Sequence, residues 1–123
     1  MSDVIKVSYG DSKTIPILIR DKHNNLAPLP LAGTDVRVYF SVKERLEDGD
    51  DRIVIEKDTL GGGLVIDSDP STGLVYVYLT PGDTENTPMN YKYDVRVYVD
   101  GEVFSQLPEE FIIQQVVKRV IAT

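Results

Sequence analysis

The stretch Val36-Arg37-Val38-Tyr39-Phe40-Ser41-Val42-Lys43 decides the fold class. Val36, Val38, Phe40 and Val42 alternate with Arg37, Tyr39, Ser41 and Lys43. Successive side chains of a β-strand point to opposite faces, so this spacing gives one apolar face and one mostly polar face. A second such stretch sets Tyr91, Tyr93, Val95, Val97 and Val99 against Lys92, Asp94, Arg96, Tyr98 and Asp100. Asp100-Gly101 then supplies the positive φ angles of a tight hairpin turn and predicts a returning strand from Glu102 to Gln106.

Working outward, weaker strands are predicted at Val4 to Val7, Thr14 to Arg20, Ile53 to Lys57, Leu64 to Asp67, Leu74 to Thr80 and Phe111 to Val117. Turn chemistry separates them at Asp21 to Asn25, Asp48 to Asp51 and Asp69-Pro70-Ser71-Thr72-Gly73. Pro81 to Asn86 reads as one short helical turn crossing between sheets, with Thr80 as its cap and Pro81 at its first position. Lys43 to Glu47 reads as strand end and loop, because five residues are too few to nucleate a helix. Many short strands without alternating helices predict an all-β fold, an immunoglobulin-like antiparallel β-sandwich of about seven to nine strands. A closed barrel would show the same alternation.

Composition bounds what such a fold does. A length of 123 residues suits a single domain over 1–123. Apolar residues at 41% and charged residues at 27% describe a chain that folds. Acidic residues outnumber basic ones 20 to 13, and the net charge of -7 repels nucleic acid where strands disperse the cations. Without cysteine there is neither a disulfide framework nor a thiolate metal site. The start Met1-Ser2-Asp3-Val4-Ile5-Lys6 is unlike a signal peptide, and no stretch has membrane-spanning length, so synthesis in a cytoplasm is expected.

The residues that chemistry would need are not assembled. His23 is the sole histidine and stands in a polar turn, where it reads as an exposed turn residue and not as a ligand. Neither Ser41 nor Ser105 lies in a Gly-x-Ser-x-Gly elbow. Gly61-Gly62-Gly63 precedes a strand and lacks a following Lys-Ser/Thr pair, so it reads as a bend or bulge and not as a phosphate cradle. Glu47, Asp48, Asp50 and Asp51 could offer oxygen to calcium, but their spacing is not that of an EF-hand, and a solvated loop is equally consistent. Glu109 and Glu110 are adjacent in a strand and so face opposite ways, which spoils a glycosidase pair. No catalytic residue, cofactor site or metal site is assigned, and the chain reads as a non-enzyme.

A sequence of landmarks resembles a known family. Gly10-Asp11-Ser12-Lys13-Thr14 opens an apolar strand, Ile15 to Ile19, followed by the Asp21 to Asn25 turn. Leu31-Ala32-Gly33-Thr34-Asp35-Val36 then steps into the long strand ending at Lys43-Glu44-Arg45. Gly61 to Ile66, the Gly73 turn, Pro81-Gly82-Asp83-Thr84 and Tyr93-Asp94-Val95-Arg96-Val97 continue the order. In that order the chain resembles the amino-terminal immunoglobulin-like domain of phage baseplate upper proteins and related small phage tail proteins, over nearly its whole length. The resemblance implies a non-catalytic virion structural protein that is made in the bacterial host cytoplasm and contacts other tail or baseplate proteins and copies of itself. It leaves a place in baseplate, tail or neck open.

Contact surfaces are expected where alternation puts aromatic rings outside. In the usual sandwich topology the strand of Tyr39 lies beside that of Tyr76 and Tyr78, and the three rings would share an outer face with Arg37. Tyrosine and arginine are enriched at interface centres, although tyrosine also simply favours strands. A second contact is expected at the carboxy-terminal segment, where Ile112, Ile113, Val116, Val117, Val120 and Ile121 exceed what one strand face buries and could add to another chain's sheet. A carbohydrate- or receptor-binding module is the alternative function, and the absence of tryptophan leans against glycan.

Overall fold

The computed structural model describes residues 4–21, 27–45, 49, 52–106 and 109–115. The fold is all-β, with the strands arranged as a sandwich of a larger and a smaller sheet. The larger sheet runs β1 (Ile5–Ser8), β11 (Glu109–Gln114), β9 (Asn90–Val99), β5 (Val36–Lys43) and β6 (Ile55–Asp58), with β10 (Glu102–Ser105) also on β9. The smaller sheet runs β2 (Lys13–Leu18), β8 (Leu74–Leu79) and β7 (Leu64–Ile66). A two-residue ladder joins β3 (Arg20–Asp21) to β4 (Ala27–Pro28). Among the described residues the sheets have free edges and do not close into a barrel. The strand ladders are antiparallel except between β1 and β11, which run parallel with Ile5 beside Phe111, and an isolated parallel bridge joins Asp58 to Gly63.

The two stretches with the clearest alternation are the two partners at the middle of the larger sheet. β5 and β9 pair from Val36 opposite Val99 to Lys43 opposite Lys92. Val38, Phe40 and Val42 of β5 and Tyr91, Tyr93, Val95 and Val97 of β9 are buried. Opposite them, the smaller sheet turns Ile15, Leu64, Val75, Val77 and Leu79 inward, and all these side chains belong to one hydrophobic cluster. Fully burying a side chain of this size contributes about 1.5–3 kcal/mol, and this sets the parity of both sheets.

The turns follow from their residues. Asp100 (φ 48°) and Gly101 (φ 91°) reverse β9 into β10, and the Asp100 carboxylate accepts the amides of Thr34 and Asp35 at 2.9 and 2.8 Å. Gly73 ends a short 3-10 turn over Pro70–Thr72 with φ 72°. A Cβ there would lie 2.9 Å from the carbonyl oxygens of Ile19 and Leu29, so glycine is required by space as well as by φ.

The crossing from the smaller to the larger sheet is the helical turn α1 (Pro81–Thr84), capped by Thr80 with Asp83 completing the capping box. Thr84 is fully buried and donates its hydroxyl to the Asp11 carbonyl at 2.8 Å. Lys57 stands opposite Phe40 and so on the inward parity of β6, where an ammonium needs a partner. It reaches Asp83 at 2.8 Å, with the two side chains 15% and 20% exposed. Burial alone would raise the Asp83 pKa, but hydrogen bonds from Lys57 and Thr80 outweigh it and hold the carboxyl below its ordinary value.

Asp83 therefore stabilises the fold fully above the ordinary carboxylate pKa of about 3.9, and that contribution is lost as pH falls through the lower folded value. Asp83→Asn is expected to lower unfolding free energy at neutral pH by about 2 kcal/mol. Urea melts of both proteins across pH 2–6 should show this difference shrinking on acidification; equal stability at neutral pH would contradict the assignment.

Candidate functional site

The outer side of the larger sheet carries Arg37, Tyr39, Ser41 and Lys43 from β5 and Lys92, Asp94, Arg96 and Tyr98 from β9. Tyr39 and Tyr98 meet edge to face with ring centroids 5.5 Å apart. Beside them lies a shallow depression of about 190 Å³, walled by Ser41, Glu56, Asp94 and Arg96. The Arg37 Nε donates to Asp35 at 3.1 Å, and this bond, then one with Tyr39, holds the guanidinium pKa above its ordinary value. Both partners of the Arg37–Asp35 pair are exposed, so it adds little stability.

Tyr76 and Tyr78 do not join this patch. They stand on β8, which pairs with β2 and β7, whereas Tyr39 stands on β5 between β9 and β6. The expected face shared by Arg37, Tyr39, Tyr76 and Tyr78 is thereby corrected to two faces on different sheets. Alternation fixed the parity of each ring, but sheet membership depends on which distant strand each one pairs with. The ring that does accompany Tyr39 is Tyr98, and pairing the two strongest strands would have located it.

On the smaller sheet the outward positions are Thr14, Pro16 and Leu18 of β2, Leu74, Tyr76 and Tyr78 of β8, and Val65 of β7. The phenol of Tyr76 donates to Asp67 at 2.9 Å. That hydrogen bond, followed by burial and by the charges of Asp67 and Tyr78, raises the Tyr76 pKa. Val65 is 51% and Tyr78 44% exposed. Val65 was not singled out from the sequence, although both parities of Leu64 to Ile66 are apolar.

Ile112 is partly buried on β11, which is flanked by β1 and β9, so its backbone is not a free edge for strand addition. Val116, Val120 and Ile121 lie outside the described residues, as do Val117, His23 and the acidic group Glu47, Asp48, Asp50 and Asp51.

Two open edges lie where β1 and β2 flank a groove of about 380 Å³ with Ile5, Ile17 and Tyr93 in its wall and Lys6, Lys13 and Arg20 along it. Tyr9 N donates to Gln114 O at 2.9 Å, so Ile5 and Val7 bond β11 and Lys6 turns its carbonyl to the open edge. The Lys13 ammonium donates to that carbonyl at 2.9 Å. On β8, Tyr78 N donates to Gly63 O at 2.8 Å, so Tyr76 and Tyr78 bond β7, and the ladder leaves Thr14, Pro16 and Leu18 facing the open edge of β2. Pro16 has no N–H to offer there. A lysine on one edge and a proline on the other are devices that block sheet extension.

Among the described residues no helix is long and apolar enough to cross a membrane. Compared with known proteins, the chain matches no family model and no curated protein.

Two outcomes follow from this geometry. Opening both edges with Pro16→Val and Lys13→Thr is expected to speed aggregation several-fold in thioflavin and light-scattering assays while the monomer stays folded; an unchanged rate would remove the blocking role. In a spectroscopic titration, Tyr76 is expected to ionise above the ordinary tyrosine value of about 10. Asp67→Asn should bring it back down, and an identical curve for the two proteins would show that the hydrogen bond does not act.

Proposed function

We propose that this chain is a structural subunit of a phage or prophage tail or baseplate, working through protein–protein contacts and not through catalysis. The observation that carries the reading is the outer side of the smaller sheet, where Val65, Leu74, Tyr76 and Tyr78 lie beside Thr14, Pro16 and Leu18 in a mostly apolar face, with the Asp67 carboxylate held on the Tyr76 phenol at one end. Exposed apolar faces of this kind mark sites of association. The ordered landmarks from Gly10 to Val97 support the phage setting, because their sequence of turns and strands resembles small tail proteins. In this reading the partners are other tail or baseplate proteins and further copies of the chain, and the protein resides in the virion.

A second reading, a carbohydrate- or receptor-binding module, draws on the depression at Tyr39 and Tyr98. There Glu56, Asp94 and Arg96 stand beside the rings, the mixture of aromatic and polar groups that holds a sugar.

The test is whether the chain is in particles. Gradient-purified phage from the bacterium that encodes it should contain the chain at a constant ratio to the other tail proteins by mass spectrometry. Intact tails that lack the chain would overturn the assembly reading, and saturable glycan binding lost in Tyr39→Ala would favour the second.

A further inference from the structure

The groove of about 380 Å³ between the open edges of β1 and β2 lies at the small end of the volumes that hold small molecules. Every residue from Lys13 to Leu18 lines it, so it follows β2 along about 17 Å and is a slot, not a round chamber. Its wall includes Ile5, Ile15 and Tyr93, which belong to the hydrophobic core, and Ile17 continues the apolar row. Lys13 shares the inward parity of Ile15 and Ile17. Its stem therefore follows that row while its ammonium crosses to the Lys6 carbonyl at 2.9 Å. An ammonium has three N–H donors, and this bond uses one of them. Among the described residues no carboxylate pairs with Lys13.

Charge sets this groove apart from the rest of the molecule. Lys6, Lys13 and Arg20 line it, and no residue in its lining is acidic. Yet the chain has 20 acidic against 13 basic residues and a net charge of -7. An anion is repelled by the molecule as a whole and attracted here. The apolar wall asks in addition for a hydrocarbon body. That body is not a peptide strand, because Pro16 offers no N–H and Lys13 already occupies the Lys6 carbonyl. A hydrocarbon chain needs no ladder and fits a slot.

We propose that the groove between β1 and β2 binds a long-chain carboxylate, its hydrocarbon lying along Ile5, Ile15, Ile17 and Tyr93 and its head on the Lys13 ammonium. The Lys6 carbonyl orients that ammonium, and the two remaining N–H donors take the carboxylate oxygens in charge-assisted hydrogen bonds. Lys13 is exposed, so the head stays at solvent while the chain is buried. The site does not depend on the assembly reading, and its test uses the isolated chain.

Decanoate, kept below its micelle-forming concentration, is the probe. Calorimetric titration of the full chain should show one saturable site. The methyl resonances of Ile5, Ile15 and Ile17 should shift, while those of Ile55 on the far edge of the larger sheet stay in place. Acetate, the head alone, should not bind at millimolar concentration, and decylammonium, the same chain with the opposite charge, should bind at least about tenfold more weakly. Lys13→Met keeps the stem and removes the charge; it should weaken decanoate at least about tenfold and leave decylammonium no weaker. Tyr98→Ser, on the outer side of the larger sheet, should bind decanoate as the parent does. Absence of saturation, methyl shifts confined to other parts of the molecule, or equal binding of decanoate by Lys13→Met and the parent overturns the proposal. An alternating Glu-Leu peptide that shifts the three groove methyls where decanoate does not would assign the groove to an acidic strand and overturn it as well.

Discussion

The pairing of β5 with β9 governs the rest of the molecule, because eight consecutive residue pairs fix the parity of the larger sheet at once. With Val38, Phe40 and Val42 turned inward beside Val97, Val95 and Tyr93, a slip of one residue would bring Arg37, Lys43, Arg96 and Asp94 into the core. The tilted contact of Phe40 with Tyr93 at 5.4 Å and its edge contact with Phe111 at 6.3 Å tie β11 to the same register. Once that layer is set, the smaller sheet needs only a matching inner row, supplied by Ile15, Val75, Val77 and Leu64.

What could be read in advance was the local part of this arrangement. Alternation identified β5 and β9, Asp100-Gly101 gave the hairpin, and Thr80-Pro81 gave the helical turn, because each depends on residues adjacent in the chain. The two-residue ladder of β3 with β4 escaped notice, since Ala27-Pro28 is too short to show a period. The grouping of Tyr39 with Tyr76 and Tyr78 failed for a different reason. Period two tells whether a side chain points in or out but says nothing of the sheet to which its strand belongs, and that is decided by partners far away in sequence. The open side of the smaller sheet was legible in the composition of Leu74 to Leu79, but attention to tyrosine alone hid that its neighbours were apolar as well.

Edges and faces are treated oppositely in this protein. The edges are closed by small chemical means: an ammonium on a carbonyl at Lys6, a missing N–H at Pro16, and the Gln106 carboxamide, which both accepts from and donates to the backbone of Arg20 at 3.0 Å. The last of these gives Arg20 the bonds that a neighbouring strand would have given. The outer side of the smaller sheet is mostly apolar among the described residues, with the Asp67 carboxylate on Tyr76 at one end. Rims sealed in this way resist the addition of another strand to either ladder.

The parallel pairing of β1 with β11 links Ile5 to Phe111, near opposite ends of the chain. During synthesis the first strand leaves the ribosome long before its partner exists, so Ile5 and Val7 must wait while nearly all of the intervening sequence is made. Closing so large a loop is entropically costly, so this seam forms only where the central layer already holds its two sides near each other. A chain released early would keep its central layer yet lack the strand that β1 needs, and would expose apolar side chains for quality control to recognise.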